Sequence, residues 1–294
     1  MVAPRVPGGV SPPAYDGPVT TQEAVAAGGV RLAASVTGEG PPLLLIPGLA
    51  ATRRVYDPVA PSLARRHRVI TYDPRGVGES EPGEEPLTLK LMAADARAVI
   101  DSFGAAPAAV FGASMGGVVA QQLALDHAHT VRCLVLAATS PGGEKAIPPD
   151  PRVTAALMGK GARTPAEAYR IACTVLYSPQ FQRAHQEFID EQVRVRAAHP
   201  VDGRVFAAQL KALAAGGDIF GRLSQIRAPT LVAHGTADAV TPFENADVLA
   251  SLIPRARRRW FESCGHLFFH ERPEESARVV DEFLRACVQD APSV

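Results

Sequence analysis

In Ala108-Ala109-Val110-Phe111-Gly112-Ala113-Ser114-Met115-Gly116-Gly117-Val118, a short apolar run gives way to Gly-Ala-Ser-Met-Gly and then to a helix-like run ending at Asp126. A strand that turns sharply into a helix holds the residue at the bend clear of both elements, and here that residue is Ser114. A serine hydroxyl is a weak nucleophile until it is exposed, hydrogen-bonded to a base and flanked by oxyanion donors. A strand-to-helix turn supplies the exposure and one such donor. Small residues at 112 and 116 suit a turn that crowds its own backbone. With 25 glycines and 13 serines in the chain, this pentapeptide arises by chance about once in ten such chains. The weight therefore falls on its strand-turn-helix context and on what lies further along.

Around this turn the pattern alternates. Short alternating runs from Gln22 to Val36 flank Gly28-Gly29, which predicts a β-hairpin and an antiparallel start. The apolar run Leu43–Ile46 and the run Arg68–Tyr72 read as strands, with a helix predicted between them over Val55–Arg65. A helix over Leu87–Phe103, the strand Ala108–Phe111, the helix to His127 and the strand Val131–Ala138 complete a βαβ series. Such a series demands a parallel sheet with right-handed crossovers and helices on both faces. After Thr139 the rhythm breaks, and residues 141–222 carry helical patterns without a convincing strand. We expect an inserted helical cap there, between core segments 20–140 and 223–294. Of its large side chains, Met158, Tyr169, Tyr177, Phe181, Phe188, Phe206 and Phe220, most are expected to pack the cap and the remainder to line an apolar pocket. Strands over Thr230–Ala233 and Arg257–Phe261 and a helix over Pro273–Val288 close the chain.

The chain has 294 residues, 47% of them hydrophobic, enough for one sizeable core. Its 30 basic and 30 acidic residues cancel, which removes a broad electrostatic case for nucleic acid or an anionic membrane surface as partner. A small, largely uncharged ligand is the expectation; the oligomeric state is not encoded in any pattern. Only four of the basic residues are lysine, a bias common in GC-rich bacterial genes. Cys133, Cys173, Cys264 and Cys287 are widely spaced and form no Cys-x-x-Cys pair, so buried free thiols in a reducing compartment are expected. The Pro/Gly-rich stretch 1–19 lacks a signal-peptide core and reads as a flexible extension, and no apolar run approaches a membrane span. The expected location is the cytoplasm.

An activated serine needs a base, and the base needs an acid to fix its tautomer and stabilise the imidazolium. Asp238, in His234-Gly235-Thr236-Ala237-Asp238, follows the strand at Thr230–Ala233. His266, in Ser263-Cys264-Gly265-His266, follows the strand ending near Phe261. Each lies where a loop leaves the carboxyl end of a strand, in the chain order Ser, Asp, His. Asp218 and Asp247 are the alternative acids.

With Leu45-Ile46-Pro47-Gly48-Leu49, Tyr72-Asp73-Pro74-Arg75-Gly76-Val77-Gly78-Glu79-Ser80, the turn at Ser114, the Asp238 loop and Gly265-His266, the chain resembles the α/β-hydrolase superfamily over nearly its whole length. The nearest groups are the bacterial 3-oxoadipate enol-lactonase-like esterases, followed by cofactor-free haloperoxidases and polyhydroxyalkanoate-depolymerase-like esterases. The resemblance implies an oxyanion hole from the backbone N–H groups of Leu49 and Met115. Pro47 stands where His is commoner, which leaves backbone donors intact. The aspartate nucleophile of capped epoxide hydrolases and haloalkane dehalogenases is replaced by Ser114. The implied activity is ester or lactone hydrolysis with no cofactor or metal. Carbon–carbon hydrolysis, perhydrolysis and natural-product tailoring use the same triad, and a non-catalytic binding protein is the reading outside enzymes.

Other residues have duller assignments. His270, four places beyond His266, lacks the rest of a zinc motif and is expected to cap or sit at the surface. His234 is expected to pack or bond a loop. Arg75 is expected to fix its turn and a nearby acid rather than a substrate. Gly76 and Gly78 lack the Gly-Lys-Ser/Thr continuation of a phosphate cradle.

Overall fold

A computed structural model of the chain describes residues 19–25, 27–217 and 219–289; the extension expected over 1–19 lies, save for Val19, outside them. Eight strands form one sheet: β1 (Val19–Val25), β2 (Arg31–Thr37), β3 (Pro42–Ile46), β4 (Arg68–Tyr72), β5 (Ala108–Ala113), β6 (Val131–Ala137), β7 (Thr230–Gly235) and β8 (Ala256–Phe261). Their order is β1-β2-β4-β3-β5-β6-β7-β8. β1 and β2 pair antiparallel, as do β2 and β4, and every other pair is parallel. The hairpin start and the parallel body are both as expected.

The helices are α1 (Ala60–Ala64), α2 (Leu89–Ser102), α3 (Met115–Asp126), α4 (Pro151–Leu157), α5 (Pro165–Leu176), α6 (Pro179–Ala184), α7 (Gln186–Ala198), α8 (Gly203–Ala215), α9 (Ile219–Arg222), α10 (Glu244–Leu252), α11 (Phe268–Glu271) and α12 (Pro273–Gln289). The helix expected over Val55–Arg65 is instead a single 3₁₀ turn, Arg53–Tyr56, followed by the short α1. Pro58 and Pro61 lack the N–H groups a continuous helix would need, and Pro61 lies in the first turn of α1, where that lack costs nothing.

Successive side chains of a strand point to opposite faces, so the central strands feed two cores. Leu44, Ile46, Val110, Leu134 and Val232 pack with α2 and α3 on one face. Leu43, Leu45, Phe111, Val135 and Leu231 pack with α1 and α12 on the other. β5 and β7 are buried along their whole length, whereas β8, at the sheet edge, exposes Arg257 and Arg258, charges that discourage further pairing. α4 to α9 all fall between β6 and β7, the stretch the sequence marked as helical.

The chain enters the sheet centre at β3, steps to β4 on one side and then to β5 on the other. Sheets that reverse direction in this way leave a crevice at the carboxyl ends of their central strands. The loops after β3, β5, β7 and β8 leave from that edge.

Candidate active site

Ser114 stands between β5 and α3 with φ 55° and ψ −124°, a conformation an L-residue adopts at a cost of order 1–3 kcal/mol. The neighbours make it possible. A Cβ at Gly112 would collide with the Gly116 carbonyl, and one at Gly116 with the carbonyls of Ile46 and Pro47. The bend is pinned on both sides: Ser114 N–H donates to Ala137 O at 2.9 Å, and Ser114 O accepts from Thr139 Oγ1 at 2.6 Å and Gly117 N–H at 2.9 Å. The side chain is left partly exposed.

His266 and Asp238 are buried, at 3% and 7% exposure, and joined by His266 Nδ1 to Asp238 Oδ2 at 2.8 Å. That bond places the proton on Nδ1, since a carboxylate only accepts, and leaves Nε2 as the basic nitrogen. Asp238 Oδ1 accepts from Val240 N–H and Thr241 N–H, each at 2.8 Å. Its Oδ2 also receives His234 Nε2 at 3.1 Å. Burial pushes this carboxyl up, but the charge of His266 and the hydrogen bonds from His234 and His266 outweigh it and hold Asp238 well below the usual carboxylate range.

Ser114 and His266 open on the same cavity of about 460 Å³, a volume typical of small-molecule sites. Among the described residues no hydrogen bond joins Ser114 Oγ to His266. Contacts between a nucleophile and its base are often loose until substrate tightens them. Gly48 and Leu49 belong to the same wall, and Met115 begins α3. The amides of Leu49 and Met115 make no hydrogen bond to the described residues, although Ala50, Ala51 and Gly117 beside them are bonded.

The rest of the wall comes largely from α4, α5, α7 and α8. Met158, Tyr169 and Phe206 line it, and Tyr177, Phe181 and Phe188 instead form an aromatic cluster with His270. Phe220 packs on the sheet core. Three of the seven thus line the cavity and three cluster among the inserted helices, fewer than the majority expected to pack there, while Phe220 joins the sheet core instead. Among the described residues the charged lining side chains are Arg54 and Arg196, with no aspartate or glutamate, and the Arg196 guanidinium lies 5.9 Å from the centre of the Tyr169 ring.

Residues 41–273 match the family described as alpha/beta hydrolase fold. The chain belongs to that family. A poly(3-hydroxyalkanoate) depolymerase of Ectopseudomonas oleovorans is 31% identical over 248 residues, covering 83% of this chain and 84% of the depolymerase. The polyketide synthase ThaQ of Burkholderia thailandensis is 32% identical over 271 residues; the match takes in 88% of this chain but spans only 13% of the synthase. Among solved structures, an enol-lactonase from Burkholderia xenovorans superimposes with a TM-score of 0.77 at 24% identity, covering 90% of this chain and all of the lactonase. That likeness is one of fold.

Arg75 is buried against Asp95 of α2 in a two-pronged pair, Nε to Oδ2 at 2.9 Å and Nη2 to Oδ1 at 2.6 Å, the structural role expected of it. His234 bonds its loop through Thr241 O at 2.9 Å and in addition touches the acid. Nothing in a lone histidine ending a strand signals that second contact. His270 is neither a cap nor at the surface: it is fully buried, accepting from Tyr177 OH at Nδ1 (2.9 Å) and donating from Nε2 to Val55 O (2.6 Å). Its two partners lie 93 and 215 positions away, which is why sequence spacing misplaced it. Asp247 lies on α10, 4.0 Å from Arg258, and Asp218 is outside the described residues. Cys133, Cys173, Cys264 and Cys287 are free and buried, and no described helix is long and apolar enough to cross a membrane.

Proposed function

We propose that this chain is a serine hydrolase that cleaves an ester or lactone of a small, largely apolar substrate through an acyl-enzyme. The observation that carries the reading is the strained, partly exposed Ser114 facing the same cavity as a buried His266–Asp238 pair. His266 Nε2 takes the Ser114 proton as Oγ adds to the carbonyl carbon. The Leu49 and Met115 amides stabilise the oxyanion, and Asp238 stabilises the imidazolium. Collapse of the tetrahedral adduct breaks the acyl–oxygen bond, and the leaving alkoxide takes the proton from His266. A water deprotonated by His266 then adds to the acyl carbon, and Ser114 leaves with the returned proton.

Residues 141–222 act in this scheme as a cap over the core formed by 20–140 and 223–294, with the acyl and alcohol groups held against apolar side chains of both parts. Two arginines and no carboxylate among the described lining residues favour neutral or anionic substrates over cationic ones. The four buried thiols suit a cytoplasmic setting.

Ser114→Ala tests the reading. Turnover of p-nitrophenyl butyrate should fall by about 10³ or more with the thermal midpoint little changed. An alanine variant that keeps near wild-type turnover would falsify it.

A further inference from the structure

Gln209 on α8 is fully buried, and burying a primary amide costs free energy unless its polar ends are bonded. Its Oε1 accepts from Ala50 N–H at 2.7 Å, a bond that ties the inserted helices to the loop after β3 across 159 positions. Its Nε2 has no hydrogen-bond partner among the described residues. The orientation follows from chemistry: the Ala50 N–H can only donate, so the carbonyl end must face it.

The loop that receives this bond is not held by local preference alone. Ala50 sits at φ 51°, in the left-handed region that alanine disfavours. Ala51 N–H reaches back to Gly48 O at 3.2 Å, enclosing Leu49 in a tight turn. That turn lies against the nucleophile, since a Cβ on Gly48 would be 3.2 Å from Ser114 Cβ and 3.7 Å from Ser114 Oγ. The residue next to Leu49 is thus fixed by a side chain from a distant helix. The same helix presents Phe206, Leu210 and Leu213 to the cavity.

We propose that Gln209 is a positioning residue: it fastens the oxyanion loop to the cap so that the Leu49 N–H points at the reacting carbonyl oxygen. The inference rests on the acyl-transfer reading above. A substrate seated against α8 is seated against the helix that holds the oxyanion donor, which couples occupancy of the apolar wall to completion of the site. The effect falls on the transition state, because the Leu49 N–H meets more negative charge on the tetrahedral oxygen than on the ground-state carbonyl.

The test compares Gln209→Met, which keeps the length and removes the acceptor, with Gln209→Glu, which keeps an acceptor in either protonation state. Kinetics on p-nitrophenyl butyrate are read beside inhibition by 1-butaneboronic acid, whose tetrahedral adduct on Ser114 mimics the oxyanion. Gln209→Met is expected to lower kcat about tenfold or more while KM stays within about twofold. Affinity for the boronic acid should fall in parallel, and Gln209→Glu should recover most of kcat. A folded Gln209→Met with wild-type kcat and boronate affinity overturns the proposal. Equal impairment in both variants also overturns it, since Gln209 would then serve packing alone. Should Gln209→Met not fold, Gln209→Asn, which withdraws the acceptor by one methylene, takes its place, and parity of Asn with Glu is the overturning result. A wild type whose turnover does not depend on Ser114 removes the acyl-transfer reading and this proposal together, an outcome distinct from an active, Ser114-dependent enzyme indifferent to Gln209.

Discussion

Asp238 accepts from four donors, the Val240 and Thr241 amides on one oxygen and the His266 and His234 rings on the other. A carboxylate so surrounded stays ionised, and in the proposed mechanism its negative charge stabilises the imidazolium formed at His266. In Asp238→Asn one carboxylate oxygen becomes an NH₂ group, which must face donors on whichever side it turns. Its kcat/KM should drop by about 10³ to 10⁴ through loss of the productive tautomer, as steady-state ester assays would show; unchanged kcat/KM would assign the acid's role elsewhere. Ser114, Asp238 and His266 were legible as candidates because each follows a strand-like run at a loop, a pattern visible along the chain. Of His234 the loop bond was expected but not the contact with Asp238, and Gln209 was not legible at all, because its bond to Ala50 arises only when the inserted helices fold over the sheet. Gln209 carries no local spacing that sets it apart from an ordinary buried side chain.

Among the elements, the strands were read with little displacement because central parallel strands are buried on both faces and appear as short apolar runs bounded by turn residues. Where the reading failed, a competing local rule or a distant partner decided. Pro58 and Pro61 break the helix expected over Val55–Arg65, and α11 was invisible as four residues carry no helical period. α11 matters because His270 ties it to Tyr177 at the end of α5 and to Val55 beside the cavity. Burial lowers the His270 pKa from 6.5 to about 4, the hydrogen bond to Val55 opposing only in part. Between these values the unfolded chain binds a proton that the folded one excludes, so the stability of the native state is full above about pH 6.5 and declines as pH falls toward 4. Integrated over that window the loss is about 3 kcal/mol. Thermal unfolding followed from pH 7 to 4.5 should therefore show a falling midpoint, and His270→Gln, which does not titrate, should flatten that fall. A profile of the same slope in the variant would place the acid sensitivity in other groups.

For the molecule as a whole, formal neutrality says little about the cavity, whose charged lining residues among those described are two arginines. The sequence expectation of a largely uncharged ligand thus becomes a more specific one when the wall is assembled. Aryl esters of equal chain length ending in a methyl, a carboxylate or a trimethylammonium group should separate in kcat/KM, with the cationic ester at least about tenfold below the neutral one. Equal kcat/KM for the cationic and neutral esters would mean that Arg54 and Arg196 lie out of reach of bound substrate. Activation of Ser114 underlies the whole mechanism, and intact-mass spectrometry after exposure to a fluorophosphonate reads it at the residue itself. An activated Ser114 gives a single covalent adduct on the wild type and none on Ser114→Ala; labelling of both proteins alike, or of neither when both are folded, would rule it out.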